Sequence, residues 1–261
     1  MIKRPLDIIA PVVLILVLVG GWEAACRILK VPAYFVPPPT AVAAALVKDA
    51  PKLLSSGWNT LKMALLALAA AAAVAFPLAL FAGLSRSFAK AVQPLAGTQQ
   101  VTPVVAIAPL VMIWAGLDHA DRAIVALAAV VAFFPLFSGA LTGLRSCDPD
   151  LRRLFALYGA SRVQVLFRLR LPSALPFFLE GLKVACGLAV IGAVVAEFVA
   201  GSGGAQGLAW RILEAGQRLR TAEMFAAVLV LGVLGAGLNA IVASLEKVLL
   251  ARWLGRPLAG D

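Results

Sequence analysis

Charge is scarce in this chain. Only 14% of its 261 residues are Asp, Glu, Lys or Arg, and 62% are hydrophobic, whereas a soluble domain carries about a quarter charged residues. So little polar surface cannot cover a water-exposed globule. Histidine is nearly absent: His119 stands alone in a short Asp/His/Arg loop. No ligands converge near it, so we read it as a solvated loop residue and expect no metal site. The three cysteines, Cys26, Cys147 and Cys186, are odd in number, widely spaced and without a CxxC pair, which argues against a disulfide framework or a zinc cluster. No G-x-x-x-x-G-K-[ST] loop occurs, so the usual grip on ATP phosphates is missing. The cluster Gly201-Ser-Gly-Gly204 with Gly207 lacks the lysine and reads as a turn. Carboxylates are scattered rather than gathered into an acid–base set, so neither an enzyme nor a cofactor is expected.

What remains is a series of long uncharged runs. A span needs about 20 mostly apolar residues to cross roughly 30 Å of hydrocarbon, and six segments qualify: 8–29, 63–85, a stretch within 91–117, 123–144, 177–199 and 224–245. The expected fold is therefore all-α, a polytopic bundle of about six transmembrane helices forming a single membrane domain over 1–261. A signal peptide would also begin with Lys3 and Arg4 before an apolar run, but this run is too long. The net charge of +10 would suggest nucleic acid in a soluble protein; in a membrane protein, Lys and Arg gather in cytoplasmic loops. With cytoplasmic N- and C-termini, the inside segments hold most of the cations, including Lys3, Arg4, Arg86, Lys90, Arg145, Arg152, Arg153 and Arg256, while Arg211, Arg218 and Arg220 fall outside. Several spans contain proline, which a bundle tolerates because neighbouring groups satisfy the freed carbonyls. Small residues, as in Ala67–Ala73 and Gly232, Gly235 and Gly237, predict close helix packing. The segment 30–60 is expected to be an ordered external element, stiffened by Pro37, Pro38 and Pro39, with Thr40 capping a short helix over 41–47.

The longest charged stretch, 144–180, falls on the cytoplasmic side. Asp148 with Pro149 is an N-cap followed by a first-turn proline, and Gly159 can take the left-handed turn that ends a helix near Tyr158. Ser161 can cap a second helix, which Pro172 is expected to stop near Leu171. Leu151, Leu154, Phe155 and Tyr158 share one face of the first helix. Such a stripe either docks a partner or packs on this chain's own helix ends or on lipid headgroups. Among the residues in the spans, Gln99, Gln100, Thr102, Glu197 and Asn239 are candidates for a polar path. For the amides and hydroxyls the alternative is bonding to backbone or neighbouring helices. For Glu197 it is a wetted outer helix end, set against the functional reading of an ionisable residue in or near a span.

The stretch from Gly159 through nine residues to Leu169, Arg170 and Leu171-Pro172 resembles the cytoplasmic loop of bacterial ABC importer permeases, which runs E-A-A, three residues, Gly, nine residues, Ile, one residue, Leu-Pro. Arg153, Leu154 and Phe155 stand where the family has its E-A-A triplet. Val36-Pro-Pro-Pro-Thr40, Pro109-Leu-Val-Met-Ile-Trp114 with Gly116, and 181–198 resemble the nitrate/sulfonate/taurine branch, which also includes permeases for pyrimidine precursors. The resemblance implies a type I importer permease in the bacterial inner membrane. It implies two permeases forming the path, two cytoplasmic ATPase subunits below, and a periplasmic binding protein delivering a small solute. It further implies that 145–176 is the coupling loop, with Leu151, Leu154, Phe155, Tyr158, Gly159, Ala160, Ser161, Arg162, Leu171 and Pro172 carrying ATPase contact or lever geometry. The rival reading is a secondary transporter, or another polytopic protein not coupled to an ATPase. A secondary transporter would predict internal repeats and ionisable pairs at mid-membrane, and neither is evident.

Overall fold

The computed structural model describes residues 5–116, 119–201 and 206–254. Lys3, Arg4 and Arg256, used above for orientation, and Ser202, Gly203 and Gly204 of the glycine cluster lie outside them. Every regular element among the described residues is helical: α1 (Pro5–Ile28), α2 (Pro39–Lys48), α3 (Ala50–Leu84), α4 (Arg86–Val101), α5 (Val104–Ala115), α6 (Ala120–Arg145), α7 (Pro149–Leu157), α8 (Arg162–Val165), a π-helical turn (Leu166–Arg170), α9 (Leu171–Ala200), α10 (Leu208–Gln217) and α11 (Thr221–Leu254).

Four stretches are long and apolar enough to cross a bilayer: α3, α6, the continuous helix Arg162–Ala200, and α11. With the bent pair α4 and α5 the number rises to at most five among the described residues, short of the six expected; α1, of 24 residues, is not among them. The third expected span differs. It is not one rod but α4 and α5, bent by 100° where they meet. Pro103 has no N–H and holds the preceding residue in extended backbone. Thr102 accordingly sits at φ −72°, ψ 123°, its N–H turned back to the Gln99 carbonyl. Large apolar side chains such as Leu16, Phe81, Val101, Trp114 and Val233 are exposed along these helices, as expected where lipid rather than water is the solvent.

The chain divides into two compact units. The first contains 1–59 and 206–234. Its core joins Val42, Ala45, Leu53, Leu208, Ala226 and Ala227, and Trp22 of α1 packs against Phe225 of α11 at 5.7 Å between ring centroids. The short helix expected at 41–47 begins earlier, at Pro39, with Pro38 as its N-cap. Thr40 is not the cap. Its N–H and hydroxyl instead donate to the Glu23 carboxylate at 3.1 and 3.0 Å. Prolines with φ near −65° already pre-form the first turn, and an anion is favourable at a helix N-terminus. Glu23 thereby ties α1 to α2.

The second unit contains 60–205 and 235–258. Its axis is the antiparallel pair α6 and α9. Their backbones approach where side chains are smallest. A Cβ built on Gly181 would lie 2.5 Å from the Pro135 carbonyl oxygen, and one on Gly139 would lie 2.6 Å from that of Phe177. Gly143 against Ala174 and Gly192 against Ala128 continue the seam. In α3, Ala64, Ala67, Ala71, Ala75, Ala79 and Ala82 are all buried at helical spacing. The glycines of α11 do not make the close seam the sequence suggested: a Cβ on Gly232 or Gly237 would meet nothing within 4 Å.

Candidate functional site

The segment joining α6 to α9 folds as helix, tight turn, helix, and local chemistry accounts for each boundary. Asp148 caps α7, its carboxylate accepting from the Asp150 N–H at 2.8 Å, with Pro149 in the first turn. α7 ends at Gly159, which sits at φ +64°. There the Gly159 N–H donates to the Ala156 carbonyl and the Ala160 N–H reaches back to Phe155, both at 3.0 Å. This paired pattern is the Schellman closure, which needs a left-handed residue and strongly favours glycine. Ser161 opens α8 with a complete capping box: its hydroxyl accepts from the Gln164 N–H at 3.2 Å, and the Gln164 side chain accepts from the Ser161 N–H at 2.8 Å. Four residues, Tyr158 to Ser161, thus separate α7 from α8, and each of their backbone N–H groups has a partner.

Pro172 does not stop the second helix. From Arg162 the chain stays helical to Ala200, through the π turn Leu166–Arg170, where the Leu171 N–H bonds to Leu166. A proline inside an α-helix collides with the carbonyl four residues earlier and leaves it without a donor. The widened π turn relieves this, and the Ser173 hydroxyl donates to the Leu169 carbonyl at 2.8 Å. The turn is also held from outside. Arg170 donates to the Gly83 carbonyl, one of the unpaired acceptors at the end of α3, at 3.1 Å. Leu166 packs with Leu144, Ala174, Leu80 and Leu171, and Leu169 is buried too. Arg170 and Leu166, which anchor the base, were not singled out from sequence; the apolar residues spaced through the basic run were the available signal.

The outer end is bare. α7 buries no residue; Leu151 and Leu154 are about half exposed, and Leu157 and Tyr158 are more than four-fifths exposed. An open groove is lined by Leu154, Phe155, Tyr158, Ala160, Gln164 and Arg168. The expected stripe therefore does not pack on this chain's own helix ends, and Leu157, three residues beyond Leu154, joins it. Arg153 pairs with Asp150 at 3.1 Å, both side chains largely exposed. At the base, burial pushes the Cys147 thiol above its ordinary pKa, although Arg152 and Arg170 pull the other way.

The proposed path residues are not brought together in the same way. Gln99 donates to the Val130 carbonyl at 2.7 Å, and Thr102 to the Thr98 carbonyl at 3.0 Å; both satisfy backbone. Asn239 is exposed on α11. Gln100 borders an open concavity with Ser138, Thr142 and Glu180. Glu197 is 1% exposed and accepts from the Thr60 hydroxyl at 2.9 Å, so it is not a wetted helix end.

Residues 75–255 match the family model for the binding-protein-dependent transport system inner membrane component. A formylaminopyrimidine transport permease protein, ThiX, of Halalkalibacterium halodurans is 30% identical over 249 residues, covering 95% of this chain and 97% of that protein. The taurine transport system permease protein TauC of Escherichia coli is 29% identical over 238 residues, 88% of this chain and 85% of that one. A crystal structure of an amino acid ABC transporter with histidines superposes with a TM-score of 0.65 over 80% of this chain and 97% of that chain; at 16% identity the likeness concerns fold alone. The chain therefore belongs to the inner-membrane components of binding-protein-dependent transport systems: it is a multi-pass, non-catalytic ABC importer permease of the branch that includes the taurine and formylaminopyrimidine permeases, served by a separate ATPase and a substrate-binding protein.

Proposed function

We propose that this permease moves a small solute of the sulfonate, nitrate, taurine or pyrimidine-precursor type, and that α7 with its turn is the coupling element through which the ATPase drives it. The carrying observation is the rigid connection. An exposed apolar tip, Leu151, Leu154, Phe155 and Tyr158, is joined through the Gly159 closure and the Ser161 capping box to one unbroken helix that becomes α9. A force applied at the tip has no soft joint in which to dissipate, because the turn's N–H groups are bonded and the helix base is clamped by Arg170. Ala160 keeps the turn compact, Arg162 supplies an exposed cation beside the tip, and Leu171 and Pro172 set where the lever enters the span. ATP-driven closure of the ATPase pair would thus tilt α9 and, through the glycine seam, α6.

In this reading 145–176 is cytoplasmic, both termini are cytoplasmic, 30–60 is external, and two copies of the chain form the path. Gln99, Gln100, Thr102, Glu197 and Asn239 remain the proposed polar contributors to that path, with Gln100 the one that borders an open concavity. Copurification tests the docking. Leu154→Asp or Tyr158→Asp, both at exposed positions, is expected to lower recovery of the ATPase with the permease at least about tenfold, since burying an unpaired carboxylate costs several kcal/mol. Unchanged recovery would remove α7 as the docking element.

A further inference from the structure

Next to the lever base lies a second concavity that the coupling reading does not use. It is lined by Arg86 and Lys90 of α4, Arg145 at the end of α6, Arg152 of α7 and Arg170 of the π turn, with no carboxylate among its lining residues. Its volume of about 500 Å³ falls within the roughly 300–1,000 Å³ range of small-molecule pockets. Among the described residues none of these five cations has an ion-pair partner, and only Arg170 is engaged, with the Gly83 carbonyl. Lys and Arg gather in cytoplasmic loops generally, but here they come from four separate elements onto one concave wall, where like charges repel.

The helix geometry sharpens this. α4 starts at this wall, capped by Ser85, whose hydroxyl accepts from the Phe88 N–H at 3.3 Å. The positive end of its dipole favours an anion, yet its first turn holds no acidic residue and presents Arg86 and Lys90. Beside the cations is a greasy rim: Phe81, Leu84 and Phe88 are exposed, with Phe81 and Phe88 edge to face at 6.4 Å. Basic pockets between membrane helices suit phosphate headgroups, and the rim offers a surface for acyl chains.

We propose that this concavity is a binding site for a phosphate-bearing anion, either an anionic phospholipid headgroup or free phosphate. The site requires only that the pocket lie at a bilayer face, so it stands or falls separately from the coupling mechanism.

The test uses the full-length chain in neutral detergent, read by native mass spectrometry. The probes are dioleoyl phosphatidylglycerol, dioleoyl phosphatidylcholine and inorganic phosphate. Wild type is expected to retain the anionic lipid at least about tenfold better than the zwitterionic one. That preference should disappear in Arg86→Gln/Lys90→Gln/Arg145→Gln and persist in Arg86→Lys/Arg145→Lys. A matched variant, Arg153→Gln/Arg162→Gln/Arg168→Gln, removes as many cations outside the concavity and should keep the preference. Phosphate binding with the same variant dependence, but no lipid preference, would identify free phosphate as the source. The proposal is overturned if the first variant behaves as wild type, or if the matched variant loses as much.

Discussion

Replacing Gly159 with valine separates the lever from mere docking. The glycine sits at φ +64°, and a Cβ there would meet nothing within 4 Å, so the substitution introduces no clash and its cost is conformational. Left-handed backbone costs an L-residue roughly 1–2 kcal/mol, and more when the side chain is β-branched. If the turn relaxes to escape that cost, it forfeits the two closing bonds from Gly159 and Ala160, each contributing about 1 kcal/mol. The turn is therefore weakened by about 2–3 kcal/mol, a shift of roughly 30- to 150-fold towards unwound forms at 1.4 kcal/mol per decade. The assay is solute transported per ATP hydrolysed in proteoliposomes containing the permease, its ATPase and its binding protein. The Gly159→Val ratio should fall at least about tenfold while membrane insertion and ATPase recovery persist. Gly159→Asn, which tolerates the left-handed region, should recover most of the coupling. A wild-type ratio for the valine variant would refute the rigid turn as the transmitter of force.

Further outcomes follow from other parts of the structure. Gly181→Val places a branched side chain where even a Cβ is 2.5 Å from the Pro135 carbonyl oxygen; overpacking costs about 1–3 kcal/mol or more, so a lowered unfolding temperature in detergent is expected, whereas Gly187→Val, with open space around it, should leave it unchanged. In a Cys26→Ser/Cys186→Ser background, alkylation of Cys147 should keep accelerating above the pH at which an ordinary thiol plateaus, because burial raises its pKa and leaves less thiolate at any lower pH; a plateau at the ordinary position would contradict the buried placement. A topology reporter fused after Arg170 should report the cytoplasm, and a periplasmic signal would overturn the proposed orientation.

Where sequence codes a structure locally, it could be read directly. The α7 turn is such a case: Asp148, Gly159 and Ser161 each settle a backbone boundary within a few residues of themselves, and all three do so in the fold. Pro172 was misread because its effect depends on contacts from elsewhere. The π turn that admits it is held by Arg170 on α3 and by Leu166 in a cluster drawn from α3, α6 and α9. Thr40 has a capping residue's chemistry, but Glu23, seventeen positions away, takes its donors. The bend at Pro103 was signalled by proline, yet a bundle often absorbs proline without a break, as it does at Pro77 and Pro135. Glycine content alone pointed to α11 for close packing; the seam formed instead between α6 and α9, because close packing needs small residues on both partners in register. At the site, the apolar stripe and turn were legible, whereas the burial of Glu197 against Thr60 required the tertiary fold.

The central claim is that a separate motor grips the tip of α7 from inside the cell. Leu157→Cys in a cysteine-free background puts a thiol at the most exposed large apolar position of that tip. Treated with a short bifunctional thiol reagent in inverted membrane vesicles, this variant is predicted to cross-link to an ATPase subunit carrying a cysteine on its permease-facing surface, with a yield that changes when ATP is added. No cross-link from Leu157, together with an efficient one from a cysteine placed in the 30–60 segment, would contradict it.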